Sequence, residues 1–130
     1  MMLQLRLIWQ VVAWIGVGLL LYLSLTPRPV EIPVEHGDKY GHTLAYFVLT
    51  IWWAQLRINR WHLVGAFIAL GVAIEFAQGW TGYRSFDYYD MVGNTVGVLF
   101  GALLAGLVPN LLHAIDAVFH HKTTQHFKSI

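Results

Sequence analysis

The chain has 130 residues, of which 57% are apolar and only 12% charged, and eight Lys/Arg against seven Asp/Glu leave a formal charge of +1. A soluble domain carries about 25% charged residues, so this composition lacks the polar surface to keep several apolar segments in water and predicts one all-α integral membrane domain. The near-neutral balance offers no basic stripe for nucleic acid. The absence of cysteine excludes disulfides, a thiol nucleophile, a lipidated cysteine and cysteine-ligated metal sites.

From Leu7 to Pro27 no side chain is charged, which matches the about 20 residues needed to cross a hydrocarbon core and predicts a first helix over 7–27. Arg6 ahead of this run raises a cleaved signal peptide, but the run is long for one and Ser24-Leu25-Thr26-Pro27 is a poor cleavage site, so the segment reads as retained. A second helix is expected over 40–56, with His42 and Gln55 as its strongly polar members. Beyond the basic turn Arg57-Ile58-Asn59-Arg60, a third is expected over 61–80, apolar except for His62, Glu75 and Gln78. The fourth, over 91–112, carries Asn94 and Asn110, and Pro109 is expected to loosen its far end. Residues 113–130 read as a solvated juxtamembrane tail. Its His113, His120, His121 and His126 are irregularly spaced and accompanied only by Asp116, so no metal site is expected.

Four transmembrane helices packed as a small bundle place both termini on one side. Arg6, Arg57, Arg60, Lys122 and Lys128 then share that side, against Arg28, Lys39 and Arg84 on the other, which favours cytoplasmic termini in a multi-pass inner (plasma) membrane protein. Trp9, Trp52, Trp53 and Trp61 on one side, and Tyr22, Tyr40, Trp80, Tyr83, Tyr88 and Tyr89 on the other, read as interfacial belts. Gly93, Gly97, Gly101 and Ala105 on the fourth helix, and Gly65, Ala69, Ala73 and Ala77 on the third, read as stripes where backbones approach closely.

In this alternating topology the start of helix two, the end of helix three and the start of helix four meet at one leaflet. Asp38 and His42, Glu75 and Gln78, and Asp90 and Asn94 each share a helix face by their three- or four-residue spacing. The polar groups near membrane depth therefore converge on one region. Glu75 lies deepest among apolar neighbours and needs a partner, for which Arg84, Lys39 and His42 are candidates, or else stays protonated in its buried site; a plain salt bridge between helices three and four is the simplest structural account. Asp87 and Asp90 stand where a carboxylate caps a helix, and capping is the simpler account of Asp87.

The order of these motifs resembles the VanZ-like family of small bacterial membrane proteins. Asp38-Lys39-Tyr40-Gly41-His42 resembles its D-K-x-x-H, Glu75-Phe76-Ala77-Gln78 its E-x-x-Q, and Arg84 with Asp90, Asn94 and Gly97 its R, D-x-x-x-N and following glycine. The resemblance spans about residues 38–105 and implies a four-helix cell-envelope protein, in a family named after a member associated with resistance to the glycopeptide teicoplanin. It implies no agreed reaction.

Three functions stay open. In the first, an outward-facing polar pocket binds or processes a phosphate-bearing lipid or envelope precursor. There Asp38, Lys39, Gln78, Arg84 and Asn94 would hold the ligand, and His42, Glu75 and Asp90 would move protons. In the second, the same cluster ties helices together in an assembly or scaffold protein. In the third, Glu75 is the proton relay of a small transporter. The expected partners are membrane lipids, above all an anionic head group, with self-association open. Neither a cofactor nor nucleic acid is expected.

Overall fold

The computed structural model describes residues 3–27, 37–82, 87–108 and 110–119, without the side chains of Asp38 and Lys39. Among them there are helices and no strands. The helices are α1 (Leu3–Leu25), α2 (Gly37–Ala54), α3 (Arg60–Thr81) and α4 (Tyr88–Leu107), followed by a short α5 over 111–119.

Local chemistry explains the boundaries. Asn59 caps α3 by accepting a hydrogen bond from the Trp61 N–H at 2.9 Å, and Gly82, at φ 79°, ends α3 in the left-handed conformation. Asp87 caps α4 by accepting from the Tyr89 N–H at 2.8 Å, as its position suggests. The basic turn after α2 reverses through Arg57, whose φ of 62° is also left-handed.

The α1, α3 and α4 helices are each long and apolar enough to cross a membrane. Here the expectation of four spans is met only in part. The 18 residues of α2 include Asp38, Lys39 and His42 in its first turns, and these lower its mean hydropathy below that of the other three. The fourth helix also stops earlier than expected, at Leu107. The α5 helix takes the end of the expected fourth helix and the start of the expected solvated tail, with Leu112 and the tail residue Asp116 buried.

The most extensive pairing is between α2 and α4, with α3 against α4 next and α1 leaning on α2 and α3. Gly97 and Gly101 make the first of these possible. A Cβ at Gly97 would collide with the Thr43 carbonyl oxygen, and one at Gly101 would stand 2.8 Å from the Phe47 carbonyl oxygen, so only glycine permits this approach. The small-residue stripe of α3 behaves differently. Gly65, Ala69 and Ala73 are exposed, and α3 turns inward the face bearing Leu63, Val64, Phe67, Gly71, Ile74, Glu75 and Gln78. In a lipid-facing helix both faces are apolar, so small residues alone do not decide which face packs.

The core is formed by Leu20, Tyr46, Leu49, Leu63, Val64, Phe67, Ile74, Val98 and Ala102, drawn from all four long helices. A second cluster, Trp9, Ala13, Leu56 and Leu112, closes the end of the bundle where α5 lies. There Trp9 and Trp52 do not form part of an interfacial belt. Their rings stack with centroids 3.6 Å apart, and each indole N–H donates to the main-chain carbonyl of the other, at 2.8 and 3.0 Å. At the opposite end Tyr22, Tyr40, Trp80, Tyr88 and Tyr89 are exposed.

The α5 helix is held by the turn that follows α2. Gln55 Oε1 accepts a hydrogen bond from the Leu111 N–H, Asn110 Nδ2 donates to the Gln55 carbonyl at 3.0 Å, and Asn110 Oδ1 accepts from the His113 N–H at 2.9 Å. Two of the free N–H groups at the start of α5 are thus satisfied by side chains.

Candidate functional site

Among the described residues, Ser24, Glu75, Gln78, Asp90 and Asn94 are buried at the end of the bundle where α2 and α4 begin and α3 finishes, while Thr50, Gln55 and Asp116 are buried elsewhere. Glu75 is fully buried, Gln78, Asn94 and Asp90 are nearly so, and His42 is half-buried. On α2, His42 and Tyr46 stand one turn apart. On α3 the inward face carries Gly71, Glu75 and Gln78, and on α4 Asp90 and Asn94 follow one another on the buried side.

Several of these groups are committed to holding the helices. Glu75 Oε1 accepts the Asp87 N–H at 2.6 Å, which ties α3 to the start of α4. Gln78 Nε2 donates to the Ser24 carbonyl at 2.7 Å, satisfying one of the carbonyls that the last turn of α1 leaves free. Thr43 Oγ1 donates to the Gly93 carbonyl at 3.1 Å and so ties α2 to α4. Gln78, read from sequence as a ligand-binding residue, has its amide N–H on the backbone of α1.

Other groups have no such commitment. Tyr46 OH, Asn94 Oδ1 and His42 Nδ1 are buried and have no hydrogen-bond partner among the described residues. A buried polar atom left so costs about 1–3 kcal/mol, which a fold accepts where something else uses the atom. Tyr46 and Asn94 lie close together, since a Cβ built on Gly71 would touch both the Tyr46 hydroxyl and the Asn94 amide at 3.4 Å.

Of the expected site residues, Glu75, Gln78, Asp90, Asn94 and His42 are placed at this end of the bundle. The side chains of Asp38 and Lys39, and the whole of Arg84, lie outside the described residues. Sequence reading missed Tyr46, because a tyrosine in an apolar run passes for core. Its signal was present in the spacing, since Asp38, His42 and Tyr46 repeat every four residues along one helix face.

The grooves lined by described residues are apolar and lie on outer faces. One of about 290 Å³ between α2 and α4 is lined by Tyr40, Thr43, Leu44, Phe47, Gly97 and Phe100. Among the described residues, no three His, Asp or Glu side chains are placed to hold a metal ion.

A bundle of apolar helices with a cluster of buried polar side chains at the end where α2 and α4 begin defines a small helical membrane-type protein. The VanZ/LLP1 family model matches residues 4–109, and the chain belongs to the VanZ/LLP1 family. The match covers α1 to α4 and stops short of α5. An uncharacterized protein of Schizosaccharomyces pombe is 30% identical over 89 residues, which are 64% of this chain and 53% of the yeast protein. The chain thus spans about half the length of that curated relative. No solved structure matches the chain.

Proposed function

We propose that this chain is a four-span membrane protein with both termini in the cytoplasm, whose polar end faces outward and binds a phosphate-bearing lipid or envelope precursor. One observation carries the reading: polar atoms on Tyr46, Asn94 and His42 are buried with no hydrogen-bond partner among the described residues, at the end of the bundle where Glu75 Oε1 and Gln78 Nε2 bond to backbone. A cluster needed only for stability would satisfy its own members. Lys39 and Arg84, in the segments that border this end, supply cations suited to anionic oxygens. His42, Glu75 and Asp90 are the groups that would move protons if the bound molecule is also processed.

The family resemblance suggests a link to glycopeptide resistance, and sensitivity to teicoplanin in a deletion strain tests that link.

A scaffold reading is favoured by Glu75 and Gln78, whose hydrogen bonds are structural. Lipid mass spectrometry on gently purified protein separates the two. The binding reading expects one phosphate-bearing lipid retained per chain, and its loss in a folded Lys39→Gln, Arg84→Gln double variant. A scaffold retains lipid equally in both.

A further inference from the structure

The α5 helix, residues 111–119, begins soon after α4 ends at Leu107. It rises only about 14 Å, too little to cross a hydrocarbon core. One side of it is used in packing: Leu112 and Asp116 are buried, and Leu112 clusters with Trp9, Ala13 and Leu56. Leu111, Val118 and Phe119 are exposed, and the seven-residue spacing of Leu111 and Val118 puts them on one helix face. A short helix fixed to the end of a membrane bundle with an apolar face left open is suited to neither water nor a full span; the boundary between head groups and acyl chains suits it.

The exposed charges around α5 are of one sign. Among the described residues this end of the bundle carries Arg6, Arg57 and Arg60 against Asp116, and Asp116 is buried whereas Arg57 and Arg60 are exposed. Arg57 Nη2 stands 3.3 Å from His113 Nδ1, which sets the basic turn beside the start of α5. Arg60 is held in place, with its guanidinium carbon 5.4 Å from the centre of the Trp61 ring and its nitrogens over Gly106, where a Cβ would collide with them. Trp61 is itself exposed, an aromatic of the kind that sits at head-group level.

We infer that α5 lies in the plane of the membrane interface with Leu111 and Val118 in the acyl boundary, and that Arg57 and Arg60 dock this end of the bundle on the phosphates of an anionic lipid surface. A second copy docked through the same face would bring its own arginines up to these, and like charges repel. The partner is a bilayer surface whose phosphates exchange, not one retained lipid. It lies at the end away from Glu75, so the inference stands or falls separately from the binding proposed there.

The test uses the full chain with Val118→Cys carrying a fluorescent label, in vesicles of phosphatidylcholine and phosphatidylglycerol, with one lipid or the other brominated on its acyl chains as a quencher. Both lipids should quench, since an acyl-chain bromine reaches only a label within the membrane. At equal mole fraction brominated phosphatidylglycerol should quench about fivefold more effectively, the preference that one arginine near an anionic surface supplies. The ratio should fall towards one when Arg57→Gln and Arg60→Gln are added. It should fall likewise in 1 M salt, where the screening length shrinks to about 3 Å and no further substitution is needed. Gly106→Ala, which displaces the Arg60 guanidinium alone, should lower the ratio part of the way.

Quenching by aqueous iodide with none by either lipid would put the α5 face in water and overturn the inference. Quenching by neither iodide nor lipid would mean that a second copy or another segment covers the face, which overturns it as well. Equal quenching by the two lipids would overturn the anionic preference, and a preference unchanged by both the double substitution and high salt would overturn the assignment to Arg57 and Arg60.

Discussion

The main-chain N–H of Asp87 donates to Glu75 Oε1 at 2.6 Å, so the deepest carboxylate of α3 holds the residue that caps α4. Removing a buried acceptor and leaving its donor unsatisfied costs about 1–3 kcal/mol. Glu75→Ala should therefore lower stability by about that amount, whereas Glu75→Gln, which keeps an acceptor in place, should lose less. Thermal unfolding in detergent, followed by circular dichroism, measures the difference. Equal losses in the two variants would mean that the bond to Asp87 is not what Glu75 contributes.

The approach of α2 to α4 depends on Gly97. Its missing side chain leaves room for the Thr43 carbonyl, and backbone atoms do not move aside as a side-chain tip does. Gly97→Leu should drive the helices apart and sharply reduce folded yield; overpacking of this kind typically costs about 1–3 kcal/mol and here meets backbone. Gly65→Ala on α3 should be harmless, because nothing lies within 4 Å of the added carbon. Fluorescence-detected gel filtration of the two variants makes the comparison.

Trp9 and Trp52 should report on the other end of the bundle. Parallel indoles 3.6 Å apart couple their transitions, so the near-ultraviolet circular dichroism of the protein should contain a couplet that Trp9→Phe removes. The same change deletes the hydrogen bond to the Trp52 carbonyl and weakens the stack, a loss of about 2 kcal/mol in sum. An unchanged spectrum would show that the two rings do not stack in solution.

Topology can be read with cysteines, since the native chain has none to interfere. Single cysteines at Val34, Asn59 and Ser129 are treated with an impermeant thiol reagent in intact cells. Only Val34 should react. Labelling at Asn59 and Ser129 in its place would invert the arrangement and turn the polar end towards the cytoplasm.

The three apolar helices were legible in the sequence because an uncharged run of membrane length admits few other structures, and the observed α1, α3 and α4 begin within a few residues of the expected positions. The polar residues on them followed from helical spacing: Glu75 with Gln78, and Asp90 with Asn94, are buried as pairs. What escaped was decided by tertiary contact. The α5 helix is too short to be stable alone and exists against Gln55, Asn110 and the Trp9 cluster, none of which a local pattern foretells. Tyr46 and Ser24 were missed for a related reason. A tyrosine looks like core until its hydroxyl is found without a partner, and Ser24 takes part through its backbone.

The most direct measurement of the central claim is the melting temperature of the purified chain against added phosphatidylglycerol, for the wild type and for the Lys39→Gln, Arg84→Gln double variant. A ligand that binds only the folded state adds about 2.7 kcal/mol at a hundredfold excess over Kd, enough to move the midpoint by several degrees. The account predicts a saturable rise in the wild type that is absent from the folded double variant. No rise in the wild type, or the same rise in both proteins, would contradict it and leave the polar end as a fastening between helices.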